Sequence, residues 1–153
     1  MAFSLRSSAF TEGSTIPKRY TLDGENLSPP LEWNDPPRAT KSFALLCEDP
    51  DAPSGTFRHW AACNITADQQ RLSQGAGGCQ AAGWTCTRND FGHARYDGPR
   101  PPHGHGLHHY HFRIAALDVD HLDVSRDQSA EQLWQTVRPH VLAEAETVGT
   151  YQR

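Results

Sequence analysis

Nowhere does the chain stay apolar for the roughly 20 residues that a membrane-spanning helix needs. Its opening, MAFSLRSSAF, lacks the long apolar core of a secretory signal, which makes the cytoplasm the expected compartment. Basic clusters are missing too. The 14 Lys and Arg are scattered among 18 Asp and Glu, and the net charge of −4 excludes an electrostatic nucleic-acid binder. There are four cysteines and no CxxC pair. Cys47 and Cys63 sit in apolar, strand-like runs, where a free thiol behaves as a small buried hydrophobe. Cys79 and Cys86 flank a glycine-rich turn and could meet, but the expected compartment favours reduced thiols. Neither G-x-S-x-G nor G-x-x-x-x-G-K-[ST] occurs, so a hydrolase elbow and a phosphate-binding P-loop are both excluded, and no cofactor is expected.

What remains is a chain of 153 residues with 37% hydrophobic and 21% charged residues, the profile of one soluble globular domain over 1–153. Phe3-Ser4-Leu5 begins a weak alternating pattern. Prolines at 29, 30, 36 and 37 forbid helix, so Ser28 to Trp33 reads as an extended segment. Two compact apolar runs, Ser42–Cys47 and Phe57–Ile65, have the length and composition of buried strands. They are separated by the acidic, proline-rich corner Glu48-Asp49-Pro50-Asp51-Ala52-Pro53, in which Ala52-Pro53 is a candidate cis peptide. Residues 67–83, rich in Gln, Gly and Ala, read as an exposed excursion without chemistry. A strand follows over Tyr110–Leu117. Only then does helical spacing appear. Ser129-Ala130-Glu131-Gln132 matches a capping box, and Leu133, Val137 and Val141 recur every fourth residue. Pro139 should kink or split that helix, and Val148–Tyr151 reads as a short closing strand. The fold class is mainly β with one C-terminal helix.

Chemistry gathers in three places: the corner at Asp49, the strand start His59-Trp60, and the loop Asp97–His111, DGPRPPHGHGLHHYH. That loop combines stiff prolines, spaced glycines and five histidines, and hands its polar residues to a strand. Alternation places His108 and Tyr110 on one strand face and His109 and His111 on the other. His93, His121 and His140 read as surface or packing residues. Two histidines and a tyrosine can donate to a phosphate oxygen, while Asp49 can hold a histidine in one tautomer. A turn aspartate that only satisfies backbone N–H groups is the plainer account of Asp49. His103, His105 and His108 could converge on a metal if the loop curls, although the face-splitting of the later histidines argues against it and no metal is expected.

Together, Ser-Pro-Pro-Leu-Glu-Trp at 28–33, Asp-Pro-Asp-Ala-Pro at 49–53, His59-Trp60, the PPHGHGLHHY run at 101–110 and the ending Gly149-Thr150-Tyr151 resemble the phosphatidylethanolamine-binding protein family, in particular its bacterial and archaeal Raf-kinase-inhibitor-like branch. The matching stretches run in the family's order along essentially the whole chain. The resemblance implies a large antiparallel sheet, a smaller second sheet and a C-terminal helix. It also implies a pocket for phosphate or a phosphorylated head group, with Asp49, His59, Pro102, His108 and Tyr110 as its residues and Asp51 as a corner-shaping neighbour. Inhibition of a kinase or a serine protease is the partner activity that it implies. The chain departs from the family pattern at His109, where the loop usually carries arginine. Arginine is always charged and fork-shaped, so support from this position becomes dependent on pH. Arg100 and His103 offer replacement charge. The competing readings are a small-molecule enzyme using the same Asp/His/Tyr pocket and a histidine-loop metal binder. Oligomeric state, a homodimer included, is left open.

Overall fold

The computed structural model describes residues 2–79 and 83–153. Among these described residues, eight strands form two antiparallel sheets. β1 (Ser4–Arg6), β2 (Leu31–Asn34) and β5 (Arg71–Leu72) make a small sheet in the order β1-β2-β5. β3 (Ser42–Asp49), β4 (Phe57–Thr66), β6 (Thr85–Cys86), β7 (His108–Leu117) and β8 (Val141–Tyr151) make the large one, in the order β6-β4-β3-β7-β8. Among the described residues one α-helix, α1 (Ala130–Val137), lies against the large sheet.

The continuous apolar character of β3 follows from its place at the centre of three layers. Phe43, Leu45 and Cys47 face the small sheet, with Trp33, Trp60, Ile65, Phe112 and Ile114 around them. Ala44 and Leu46 face the other way and join Ala61, Cys63, Ala115 and Leu117 beneath Leu133, Trp134 and Val137 of α1. The small residues on that side let the helix approach the sheet closely. A strand buried on both faces cannot alternate, which is why the run Ser42–Cys47 carries no period-two signal.

The helix starts as its sequence dictates. The Ser129 hydroxyl accepts from Gln132 N, and the Gln132 side chain accepts from Ser129 N. Its end is sharper than a kink. Val137 is the last α-helical residue, Arg138–His140 form one 3-10 turn containing Pro139, and Val141 already opens β8. Proline has no N–H to give the Gln135 carbonyl, and the residue before it disfavours helix. The four-residue spacing therefore misassigns Val141, and the closing strand is eleven residues long rather than four.

Three further expectations are corrected. No cis peptide occurs among the described residues, so Ala52-Pro53 is trans. The corner closes instead through Asp51 N donating to Asp49 Oδ1 at 2.8 Å and Gly55 N donating to the Ala52 carbonyl. The stretch 67–83 is not merely an excursion: Leu72 is buried in the small sheet, Gly77 is buried beside Ser28 and Tyr96, and residues 80–82 lie outside the described part. Finally, Cys79 and Cys86 form a disulfide, their Cα atoms 5.9 Å apart. Pairing of Cys86 with Ala62 on β4 fixes one partner and the left-handed Cys79 turn presents the other, so proximity overrules the compartment argument. Cys47 and Cys63 are free and buried, as their apolar context requires. Closing a loop this short removes about 2–3 kcal/mol of unfolded-state entropy. Reduction is accordingly expected to lower the melting temperature by roughly 4–12 °C, measured by calorimetry with and without dithiothreitol; an unchanged Cys79→Ser/Cys86→Ser variant would remove the disulfide from the stability of the fold.

Candidate anion pocket

β7 is the strand that assembles the site. Its pairing with β3 runs from Ser42↔Leu117 to Glu48↔His111, which carries His108–Tyr110 to the end of β3 where Asp49 stands. On its other side, Tyr110 pairs with Gly149 and His108 with Tyr151 of β8. A Cβ at position 149 would lie 2.5 Å from Ile16 Cγ1 and 2.9 Å from Phe10, which explains the glycine in the Gly-Thr-Tyr ending.

Asp49, His59, Pro102, His108 and Tyr110 line one cavity of about 250 Å³, together with Ala52, Pro53, Ser54, Phe57, Phe91, Arg100 and Pro101. All five sequence-derived residues meet there. Asp49, His59, His108 and Tyr110 are buried, whereas Pro102 and Arg100 form the exposed rim. The polar floor is held by specific bonds. His108 Nδ1 donates to Asp49 Oδ2 at 2.6 Å, and Asp49 Oδ1 accepts from the Asp51 backbone. Both accounts of Asp49 are therefore correct at once: one oxygen makes the turn and the other orients a histidine. With both oxygens engaged, its charge is directed into the protein rather than at a ligand.

His59 is fixed differently. Its Nδ1 lies 2.7 Å from the Asp97 carbonyl oxygen, which can only accept, so Nδ1 carries the hydrogen. Burial pushes its pKa below the ordinary histidine value, against the raising influence of the Asp97 carbonyl and the Asp49 charge. The ring is thus a neutral imidazole, and its Nε2 is an acceptor. Phe57, Phe91 and Tyr110 pack against it, with centroids at 5.0, 5.6 and 5.3 Å. Burial above all, with help from the Asp49 carboxylate, raises the Tyr110 hydroxyl far above its usual range and keeps it protonated.

Asp97 is the residue that sequence reasoning missed. Buried in the protein, its carboxylate accepts from Asn26 Nδ2, Asn89 Nδ2, His93 Nδ1 and Arg95 Nε at 3.0, 2.9, 2.7 and 3.2 Å. Burial works to raise this carboxyl, but the bonds from Asn89, His93 and Asn26 and the Arg95 charge outweigh it and hold the pKa below the ordinary value. In sequence Asp97 stands only as the first residue of the histidine loop. Its partner Asn26 lies 71 residues away and Asn89 lies across a turn, so no strand or helix period announces it. His93, expected to be a bystander, is one of its donors.

His109 and His111 point away from the cavity, as alternation requires: His109 bonds Asp51 through Nδ1 at 2.8 Å, and His111 bonds Glu146. His109 N also donates to Asp51 Oδ2, so His109 clamps the acidic corner from outside. Burial would raise the Asp51 carboxyl, but the two His109 hydrogen bonds more than reverse that and lower it. His105 and His108 do converge, as a hydrogen-bonded pair 2.6 Å apart. Among the described residues no three His, Cys, Asp or Glu side chains are grouped to hold a metal ion.

Comparison with known proteins matches residues 6–152 to the phosphatidylethanolamine-binding protein family. The chain belongs to that family. A UPF0098 protein of Methanothermobacter thermautotrophicus is 43% identical over 152 residues, covering 98% of this chain and 99% of the relative. The crystal structure of Escherichia coli YbcL, described as a new member of the mammalian PEBP family, superposes with a TM-score of 0.95 at 31% identity, covering 100% of this chain and 99% of that one. A carboxypeptidase Y inhibitor, solved with its cognate proteinase, shares the fold with a TM-score of 0.59 at 17% identity over 98% of this chain and 82% of its own. No helix among the described residues is long and apolar enough to cross a membrane.

The neutral state of His59 has a consequence for stability. Its folded pKa is depressed below 6.5, so the stabilisation is fully present above pH 6.5 and is lost as the pH falls toward the folded value. The lowered carboxyls of Asp51 and Asp97 act in the same direction only below their ordinary value of 3.8. The melting temperature is therefore expected to decline in two stages on acidification. His59→Asn keeps a donor for the Asp97 carbonyl and should flatten the upper stage alone; a wild-type slope in that variant would assign the stage to another group.

Proposed function

We propose that the cavity binds a small phosphorylated or otherwise anionic ligand, and that the protein acts as a ligand-binding regulator of the PEBP type. The observation that carries the reading is the Asp49–His108 pair, both members buried, whose outward ring edge opens on a cavity rimmed by Arg100. A charged His108 donates to an anionic oxygen, Arg100 adds unconditional positive charge, and charge-assisted bonds of this kind are about twice as strong as neutral ones. The Tyr110 hydroxyl is a further donor. The neutral His59 offers an acceptor to the remaining corner, which suits the P–OH of a phosphate monoanion better than a dianion. The apolar walls of Phe57, Phe91, Pro53 and Pro101 then accept whatever the phosphate carries.

Kinase or protease inhibition is a separate proposal on the same fold, and the similarity to a carboxypeptidase inhibitor at 17% identity supports the fold only. The pocket reading is tested by thermal shift with phosphate, phosphoserine and phosphoethanolamine. At a hundredfold excess over the dissociation constant a ligand stabilises by about 2.7 kcal/mol, a rise of several degrees. The rise should vanish in His108→Ala and shrink as the pH passes above about 6, where the phosphate monoester loses its second proton. No shift with any of the three compounds defeats the anion reading, and turnover abolished by Asp49→Ala would replace it with the enzyme.

A further inference from the structure

We propose that His105 is a gate on this pocket that sets which ligands enter it. The inference rests on the anion-pocket reading and adds a residue outside the cavity lining. Asp49 binds His108 Nδ1, so Nε2 is the one nitrogen of that ring left for a ligand. In the unliganded protein that nitrogen is taken: His105 Nδ1 lies 2.6 Å away, and the two rings sit 4.9 Å apart at 58°. The three side chains form a line from the buried Asp49 through the buried His108 to an exposed His105.

Only one member of the line can yield. His108 is packed on β7 and tied to Asp49, whereas the His105 ring projects from the loop into solvent. The loop backbone itself is pinned, because His105 N donates to the Pro102 carbonyl and Gly104 N donates to the Arg153 carbonyl. Opening therefore needs a side-chain rotation and no movement of the chain. The energetics then select by charge. A neutral ligand atom that takes the His105 place exchanges one neutral hydrogen bond for another and gains little. An anion facing the charged form of His108 exchanges a bond to a neutral imidazole for one in which donor and acceptor are both ionised, and so gains a Coulomb attraction that a neutral ligand lacks. The groups that face the pair are Asp49, Tyr110 and Arg100, with Asp51 behind the corner; Arg100 and the imidazolium favour the anion in the same direction. His105 thus excludes neutral molecules and gives way to anionic ones, at the expense of some affinity for the anion, since only the open fraction binds.

Removing the gate should tighten anion binding. For a gate closed most of the time, His105→Ala is expected to bind inorganic phosphate on the order of three- to tenfold more tightly by calorimetric titration. His105→Asn, whose amide can take the place of Nδ1, should stay near wild type. Equal or weaker binding by His105→Ala overturns the gate while leaving the pocket intact. A second readout is independent of phosphate: carbethoxylation of His108 by diethyl pyrocarbonate, mapped by peptide mass spectrometry. It should rise several-fold in His105→Ala and not in His105→Asn, and an unchanged rate overturns the gate. Should phosphate bind to no variant while His108 becomes reactive, the gate stands and the anion reading falls.

Discussion

Replacing Asp97 by alanine is expected to cost the fold about 3–4 kcal/mol, well above the effect of removing an ordinary surface carboxylate. The reason is what the side chain leaves behind. Asn26 and Asn89 point their amides at a carboxylate that is 1% exposed; without it the half-buried Asn26 amide loses this acceptor, while Asn89 keeps only the His59 and Arg95 carbonyls. A buried donor without a partner costs about 1–3 kcal/mol, and here the Asn26 amide loses its acceptor, Asn89 loses one of three, and the partly exposed His93 and Arg95 lose their anionic partner. The melting temperature should fall by roughly 6–15 °C, and the urea midpoint should fall with little change in slope. Asp97→Asn keeps the shape but opposes one amide to another, so an intermediate loss is expected. The site should suffer as well, because Asp97 N and its carbonyl exchange hydrogen bonds with His59. A loss below about 1 kcal/mol in Asp97→Ala would mean that water or side-chain rearrangement replaces the carboxylate, and that Asp97 is not the brace of the His59 wall.

Asp97 also marks where reading the chain stops. Features carried by neighbours in sequence were legible: the alternation that puts His108 and Tyr110 inward, the capping box at Ser129, the strands at Ser42 and Phe57. Their physics is local, a pleat of period two or a cap spanning three residues. The family motifs added the cavity residues because each motif brings its own context. What escaped depends on contacts between distant segments. The four-donor brace joins Asn26, Asn89, His93 and Arg95, and it is closed by Asn26 from a segment 71 residues away. The disulfide was visible as a spacing but was judged by compartment, when strand pairing at Cys86 was the deciding term. The helix end was a matter of degree: Pro139 was recognised, yet its neighbours complete only one 3-10 turn before β8 begins, and the spacing of Val141 pointed the wrong way. The cis expectation at Ala52-Pro53 failed because the Asp49 side chain and the Gly55 N–H close the corner without it.

Gly98 should be the least replaceable glycine of the loop, although its backbone is not left-handed. A Cβ there would stand 2.2 Å from the Tyr20 carbonyl oxygen and 2.9 Å from Thr21 Cα. These are backbone atoms, and the same carbonyl already accepts from the Tyr96 hydroxyl at 2.6 Å. Relief cannot come from a side-chain rotation, so the 97–102 segment must lift away from residues 20–26. That movement breaks the bond from Gly98 N to Asn26 Oδ1 and the one from Leu22 N to the Pro99 carbonyl, and it carries Arg100 to Pro102 with it. Gly98→Ala is therefore expected to cost more than about 3 kcal/mol, beyond the usual range for one inserted methyl, and to abolish phosphate binding even where the protein still folds. Gly104 supplies the contrast. Its φ of +73° penalises a side chain, but a Cβ there meets nothing within 4 Å. Gly104→Ala should thus cost only the strain of the left-handed conformation, about 1–2 kcal/mol. Thermal denaturation of the two variants separates close approach from backbone strain. If Gly98→Ala proves no worse than Gly104→Ala, the loop is held by its prolines and not by its seat on residues 20–26, and the pocket wall is softer than its hydrogen bonds imply.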